Sequence, residues 1–190
     1  GTAALFLALW ALNARGKKII MPAYVCSALR HAVSLAGAKE MLADLDENSP
    51  NIDINVINTS NADIAIVAHM YGLPADVSMV KKPLIEDCAQ ALGASINNVP
   101  VGLHGDVGIF SFYATKLITS GGQVGMLFSK KKSLADMVRD YRQFDCRKDH
   151  RARFNFQMTD LQAAIGRKQL IRLSKFLTRR AQIFDRGLQV

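Results

Sequence analysis

Apolar residues fall in short blocks along this chain, separated by polar, glycine and proline punctuation. The blocks alternate between helical and extended spacing. Thr2 to Asn13 is rich in Ala and Leu and apolar almost all round, which predicts a buried helix. Lys17 to Met21 predicts a short strand stopped by Pro22. Val25 to Leu35 predicts a second helix ended by Gly37, and Lys39 to Leu45 another strand. Asn48 to Asn61 is polar and punctuated, a loop region with room for one short element. Asp63 to His69 is the clearest buried strand. After it come a turn at Tyr71-Gly72-Leu73-Pro74, a short helix, and a strand from Pro83 to Glu86. Val107 to Phe112 and Val124 to Ser129 read as strands flanking a loop that carries Lys116. Lys132 to Gln143 is amphipathic. Asp160 to Gly187 keeps helical spacing throughout, with Leu161, Ala164, Ile165, Leu170, Leu173 and Leu177 on or near one face. Strands alternating with helices make the fold class α/β, with a mostly parallel or mixed sheet.

Composition narrows the class. At 49% hydrophobic and 21% charged, the 190 residues belong to a globular chain long enough for one domain with a real core. The longest apolar run, Ala3 to Leu12, is too short to span a bilayer, and no basic segment precedes it as a signal peptide requires. Cys26, Cys88 and Cys146 are odd in number and far apart, which points to a reducing, cytoplasmic protein, and no His/Cys cluster has metal-site spacing. The net charge of +8 is uneven, since residues 147–190 hold eleven Lys/Arg against three Asp/Glu. A solvated helix face explains that tail more simply than a nucleic-acid surface does. A helical pattern starting at the second residue, and another still running at Arg186, suggest a piece of a longer protein.

The chemistry concentrates in two places. Glu86-Asp87 lies at the exit of a strand, where ligands bind in open α/β sheets, and Lys116 follows Ser111-Phe112-Tyr113-Ala114-Thr115. An amine that condenses with an aldehyde cofactor, together with a carboxylate that keeps a pyridine ring protonated, is the minimum equipment of a pyridoxal phosphate enzyme. Taken singly, Asp87 suits a helix N-cap as well, and Lys116 an ordinary surface lysine. Gly1-Thr2 at a helix start, Ser111 and Gly121-Gly122 could each serve a phosphate. His69, ending its strand, could bond a ligand or be a satisfied structural histidine.

Six ordered stretches go further. They are Gly1-Thr2-Ala3-Ala4-Leu5, Pro22-Ala23-Tyr24, His69-Met70-Tyr71-Gly72-Leu73-Pro74-Ala75-Asp76, Glu86-Asp87-Cys88-Ala89-Gln90, Gly105-Asp106 through Lys116, and Asn155 through Ala164. Together they resemble the DegT/DnrJ/EryC1/StrS family of pyridoxal phosphate-dependent sugar aminotransferases of fold type I. The resemblance implies a three-layer sandwich about a central, mostly parallel mixed sheet. Residues 1–190 would form an incomplete cofactor-binding large domain. Within it, 160–190 would be helices leading toward a smaller C-terminal domain, and an N-terminal segment would precede Gly1.

The resemblance also implies roles. Lys116 would join the cofactor and shuttle protons, Asp87 would pair with the pyridine nitrogen, and Gln90 would contact the ring or its phenolic oxygen. Thr2, Ala3 and Ser111 would hold the phosphate. Asn155 would reach the cofactor of the neighbouring subunit in a homodimer with shared active sites. The implied reaction passes an amino group, from glutamate, to a keto sugar carried on a nucleotide, in the synthesis of cell-surface polysaccharides or secondary-metabolite sugars. No metal is implied. Three positions depart from the pattern: Cys26 where an aromatic residue usually stacks on the cofactor, Val124 in the glycine loop, and Gln157 for an arginine or lysine. They keep open the alternative of a truncated or degenerate relative acting as a binding or assembly module.

Overall fold

The computed structural model describes residues 1–187; the last three positions of the helical region expected over 160–190 lie outside the described residues. A six-stranded sheet forms the centre. Its strands are β1 (Lys18–Pro22), β2 (Lys39–Ala43), β3 (Ile64–Ala68), β4 (Leu84–Asp87), β7 (Val107–Ser111) and β8 (Gly125–Phe128), in the spatial order β2-β1-β3-β4-β7-β8. Every neighbouring pair is parallel except β7 and β8, which run antiparallel. The expected α/β class with a mostly parallel mixed sheet is therefore what the chain forms.

Both faces of the sheet are covered, and alternation along the strands sorts the residues between them. Ile19, Met21, Ile64, Ile66, Ile85 and Ile109 face the larger core, which α1 (Thr2–Ala11), α2 (Ala28–Leu35) and α4 (Lys132–Arg142) close. Ile20, Ala65, Val67 and Leu84 face the opposite way, onto Ile57 of the short helix α3 (Ile54–Thr59) and onto Ala75 and Val77. α1 is buried along nearly its whole length, as its unbroken apolar sequence requires.

α3 is the one short element for which the polar 48–61 stretch left room, started by Asp53, whose side chain accepts from the Asn55 N–H at 2.8 Å. The differences from the sequence expectation have local causes. No helix forms between the Tyr71 turn and β4. There the Asp76 carboxylate accepts from the Ser78 N–H and the Val80 N–H bonds Val77, a single turn that Pro83 prevents from propagating. A two-stranded hairpin, β5 (Ser95–Ile96) with β6 (Val99–Pro100), turns through Asn97 and Asn98, both at positive φ. That pair of asparagines is the residue signal for the tight turn. The long C-terminal pattern divides at Arg172 into α5 (Asp160–Ile171) and α6 (Leu173–Gly187). A capping box of Thr159 and Gln162 starts α5.

Candidate active site

Three parallel strands end side by side at the site. The register sets Ala68 of β3 beside Asp87 of β4, and Asp87 beside Ile109 of β7. Consecutive residues of a strand point to opposite faces, so Glu86 and Asp87 part company. Asp87 falls on the α1 side, at a cavity of about 360 Å³ bordered also by Thr2, Gln90, Ser111 and Lys116. Five sequence-predicted residues, one each from α1, β4, the turn after β4, β7 and the loop after β7, thus converge on one space.

Asp87 is 7% exposed. One of its oxygens accepts from the Ala89 N–H at 2.9 Å, so it does hold the turn after the strand. The other has no protein donor among the described residues. Burial pushes the Asp87 carboxyl above the usual carboxylate range, against the pull of the Ala89 N–H and the Lys116 charge. A buried carboxylate short of one partner suits a cationic ring nitrogen.

α1 begins at this cavity with no side chain capping it, leaving its first N–H groups to an anion. The backbone there is closely packed. A Cβ on Gly125, where β8 begins, would stand 2.6 Å from the Gly1 nitrogen, and one on Gly1 would touch Ser111 Oγ at 3.4 Å. The helix start, Ser111 and the β8 start are therefore held against one another. Ala3 and Asn155 are not brought to the Lys116 cavity. They border a neighbouring cavity of about 410 Å³, which shares Gly1 and Gln123 with the first. Asn155 is exposed there, its side-chain oxygen accepting from the Gln157 N–H.

Glu86, which sequence reasoning had not separated from Asp87, turns to the other face and is fully buried. Its Oε1 accepts from the N–H groups of His104 at 2.8 Å and Gly105 at 2.6 Å, and its Oε2 from the Gly102 N–H at 2.8 Å. His69, also fully buried, places Nε2 3.0 Å from Oε2. The Ala75 N–H donates to His69 Nδ1 at 3.0 Å, so Nδ1 is bare and Nε2–H donates to Glu86. Burial pushes the Glu86 carboxyl upward, but the His69 ring and the Gly105 and Gly102 N–H groups outweigh it and hold it below its ordinary value. The glycines at 102 and 105 were the available signal, since a Cβ on Gly102 would stand 2.7 Å from the Phe110 ring and one on Gly105 2.8 Å from the Leu84 carbonyl. Cys88 lies near Glu86 and His69, and burial pushes its thiol well up. The Glu86 and His69 donors and acceptors are already engaged, which makes this trio a structural network.

Tyr71 sits at the rim in the left-handed region (φ 54°), followed by Gly72 at φ 81°. Its N–H reaches Gln90 Oε1 at 3.3 Å, and its hydroxyl lies 3.0 Å from that of exposed Tyr24. For a bulky residue this conformation costs about 1–3 kcal/mol and persists only where its surroundings enforce it. Cys26 borders the Lys116 cavity.

A strand-end acid, a lysine from the following loop and an uncapped helix start thus meet at the carboxyl ends of parallel strands, where α/β folds bind their ligands. Kinship follows from similarity. The chain belongs to the DegT/DnrJ/EryC1/StrS aminotransferase family, whose model matches residues 1–188. It is 31% identical to GDP-perosamine synthase of Escherichia coli O157:H7, over 97% of this chain and 55% of the relative. It is 33% identical to UDP-N-acetyl-3-dehydro-alpha-D-glucosamine 3-aminotransferase of Acidithiobacillus ferrooxidans, over 93% of this chain and 52% of that protein. Among solved structures it resembles S. venezuelae DesV, captured with a ketimine intermediate, at TM-score 0.82 and 28% identity, covering 92% of this chain and 51% of the other. The chain spans about half the length of the curated relatives it matches.

Proposed function

We propose that this chain is the cofactor-binding large domain of a pyridoxal phosphate-dependent aminotransferase, which passes an amino group from glutamate to a keto sugar attached to a nucleotide. The observation that carries the reading is the meeting of Asp87, Lys116 and the uncapped start of α1 in one cavity. The relatives named for GDP- and UDP-linked sugars support the substrate class, and the reading takes the product into cell-surface polysaccharide or secondary-metabolite sugar synthesis. Among the described residues no helix is long and apolar enough to cross a membrane, and the reading takes the protein as cytoplasmic. It also takes it as a homodimer, in which Asn155, exposed and away from the Lys116 cavity, serves the partner's site.

The residues present fit the cofactor. When bound, it supplies an electron sink that makes a carbon–hydrogen bond beside the transferred nitrogen acidic. Asp87 would pair with the ring nitrogen and keep its proton in place. Burial raises the Asp87 carboxyl in the free protein, and a cationic partner reverses that shift by stabilising the charged form. Thr2, Ser111 and the free N–H groups at the start of α1 would hold the phosphate, while the Ala3 side chain borders the neighbouring cavity. Gln90, whose Oε1 accepts from the Tyr71 N–H and whose amide nitrogen donates to Met70 Sδ at 3.7 Å, would contact the ring or its phenolic oxygen. Lys116 would hold the cofactor through its Nζ and, when free of it, would take and return the substrate proton as general base and acid.

The test is covalent. Purified chain mixed with pyridoxal phosphate should develop a visible absorbance band, and borohydride followed by mass spectrometry should place the label on Lys116. Lys116→Ala should abolish both. Labelling scattered over surface lysines would overturn the reading and favour a non-catalytic relative.

A further inference from the structure

A further cavity of about 340 Å³ meets the first at Lys116. Gln90, Ser111, Thr115 and Lys116 border both spaces, and Tyr71 and Arg180 complete the second. Arg180 comes from α6, on the far side of the loop. Every polar side chain around this space can donate a hydrogen bond, two are cations, and none is a carboxylate. The first cavity, by contrast, contains Asp87. Arg180 has no acidic partner and no hydrogen bond among the described residues, whereas its neighbour Arg179 donates to Gln182.

Arg180 is itself exposed, and the helix that carries it is held in place by packing. Leu177 lies one turn before it on the same face of α6 and fits over Gly93, where a Cβ would stand 2.7 Å from its Cδ1. Leu173 and Phe176 pack against the cluster of Phe112, Ile118 and Val124, next to the loop that bears Lys116. Tyr71 is fixed from the other side by its left-handed backbone and its bond to Gln90.

We propose that Arg180 and Tyr71 form a subsite for an anionic group of a substrate whose reacting carbon lies at Lys116, a proposal that rests on the aminotransferase reading above. A guanidinium pairs a carboxylate or a phosphate through two parallel N–H bonds. The anion is therefore a carboxylate of the amino donor or the diphosphate of a nucleotide sugar.

Calorimetric titration of the full chain with 2-oxoglutarate and with UDP separates these sources. Arg180→Gln should weaken one probe by about tenfold or more, Arg180→Lys by less, and Arg179→Gln by under about twofold. Loss confined to 2-oxoglutarate assigns the donor carboxylate, and loss confined to UDP assigns the diphosphate. Unchanged affinities in Arg180→Gln, or no binding of either probe to the unsubstituted chain, would overturn the subsite. Borohydride labelling of Lys116 in the same samples keeps the two claims apart. Normal labelling with unchanged probe affinities defeats the subsite alone, whereas absent labelling defeats the aminotransferase reading.

Discussion

Replacing Glu86 by Gln preserves shape and volume but converts one acceptor oxygen into a donor amide. Four donors converge on this carboxylate, two on each oxygen. Whichever way the new amide sits, two buried N–H groups face a donor instead of an acceptor. His69 cannot relieve the conflict by changing tautomer, because its Nδ1 already accepts from the Ala75 N–H. Leaving a buried donor unmet costs about 1–3 kcal/mol, so Glu86→Gln should lose about 2–6 kcal/mol. That is a large part of the ~5–15 kcal/mol that holds a domain folded. Urea unfolding followed by circular dichroism at neutral pH measures it, provided the slope against denaturant is unchanged. The pH dependence supplies a second check. The Glu86 carboxyl is depressed in the folded state, so its contribution is present above its ordinary value and fades as pH falls through the folded one. The gap between wild type and Glu86→Gln should therefore narrow below about pH 4. A loss under about 1 kcal/mol at neutral pH would refute the network as a source of stability.

Asp87 should behave in the opposite sense. Its carboxyl is raised on folding, so its contribution is favourable in acid and lost as pH rises through the folded value. Asp87→Asn should therefore melt at or above the wild-type temperature at neutral pH in the cofactor-free chain while binding pyridoxal phosphate more weakly, and a lower melting temperature would count against the burial argument. Gly125→Ala, whose new Cβ meets the Gly1 nitrogen at 2.6 Å, should cost about 1–3 kcal/mol in thermal unfolding and loosen the helix start. Arg153, whose side chain is 4% exposed and pairs with Asp140 and Asp149, ties down the segment that carries Asn155. Arg153→Ala should speed proteolytic cleavage within residues 145–158 well before the sheet unfolds.

Local pattern was enough for much of this protein. Buried parallel strands must be apolar on both faces, so Asp63 to His69 and the run before Glu86 announce themselves without any partner in view. The apolar surround of α1, the strand-exit acid and the lysine after Ser111 are likewise written in consecutive residues. The hairpin at Asn97-Asn98 was legible and passed over, whereas the break at Arg172 has no comparable mark in the chain. Tertiary structure alone decided the rest, because those features join positions distant in sequence. Alternation separates Glu86 from Asp87, but only the covering of each sheet face tells which of them meets the cavity and which meets His69 and the 102–105 loop. The left-handed Tyr71 depends on Gln90, 19 residues away. Arg180 lies 64 positions beyond Lys116, and a hydrophobic contact between Leu177 and the turn at Gly93 brings it back to the site. Burial, charge and direction at a site are properties of what surrounds a residue, and a strand or helix pattern specifies only the residue's own side of that contact.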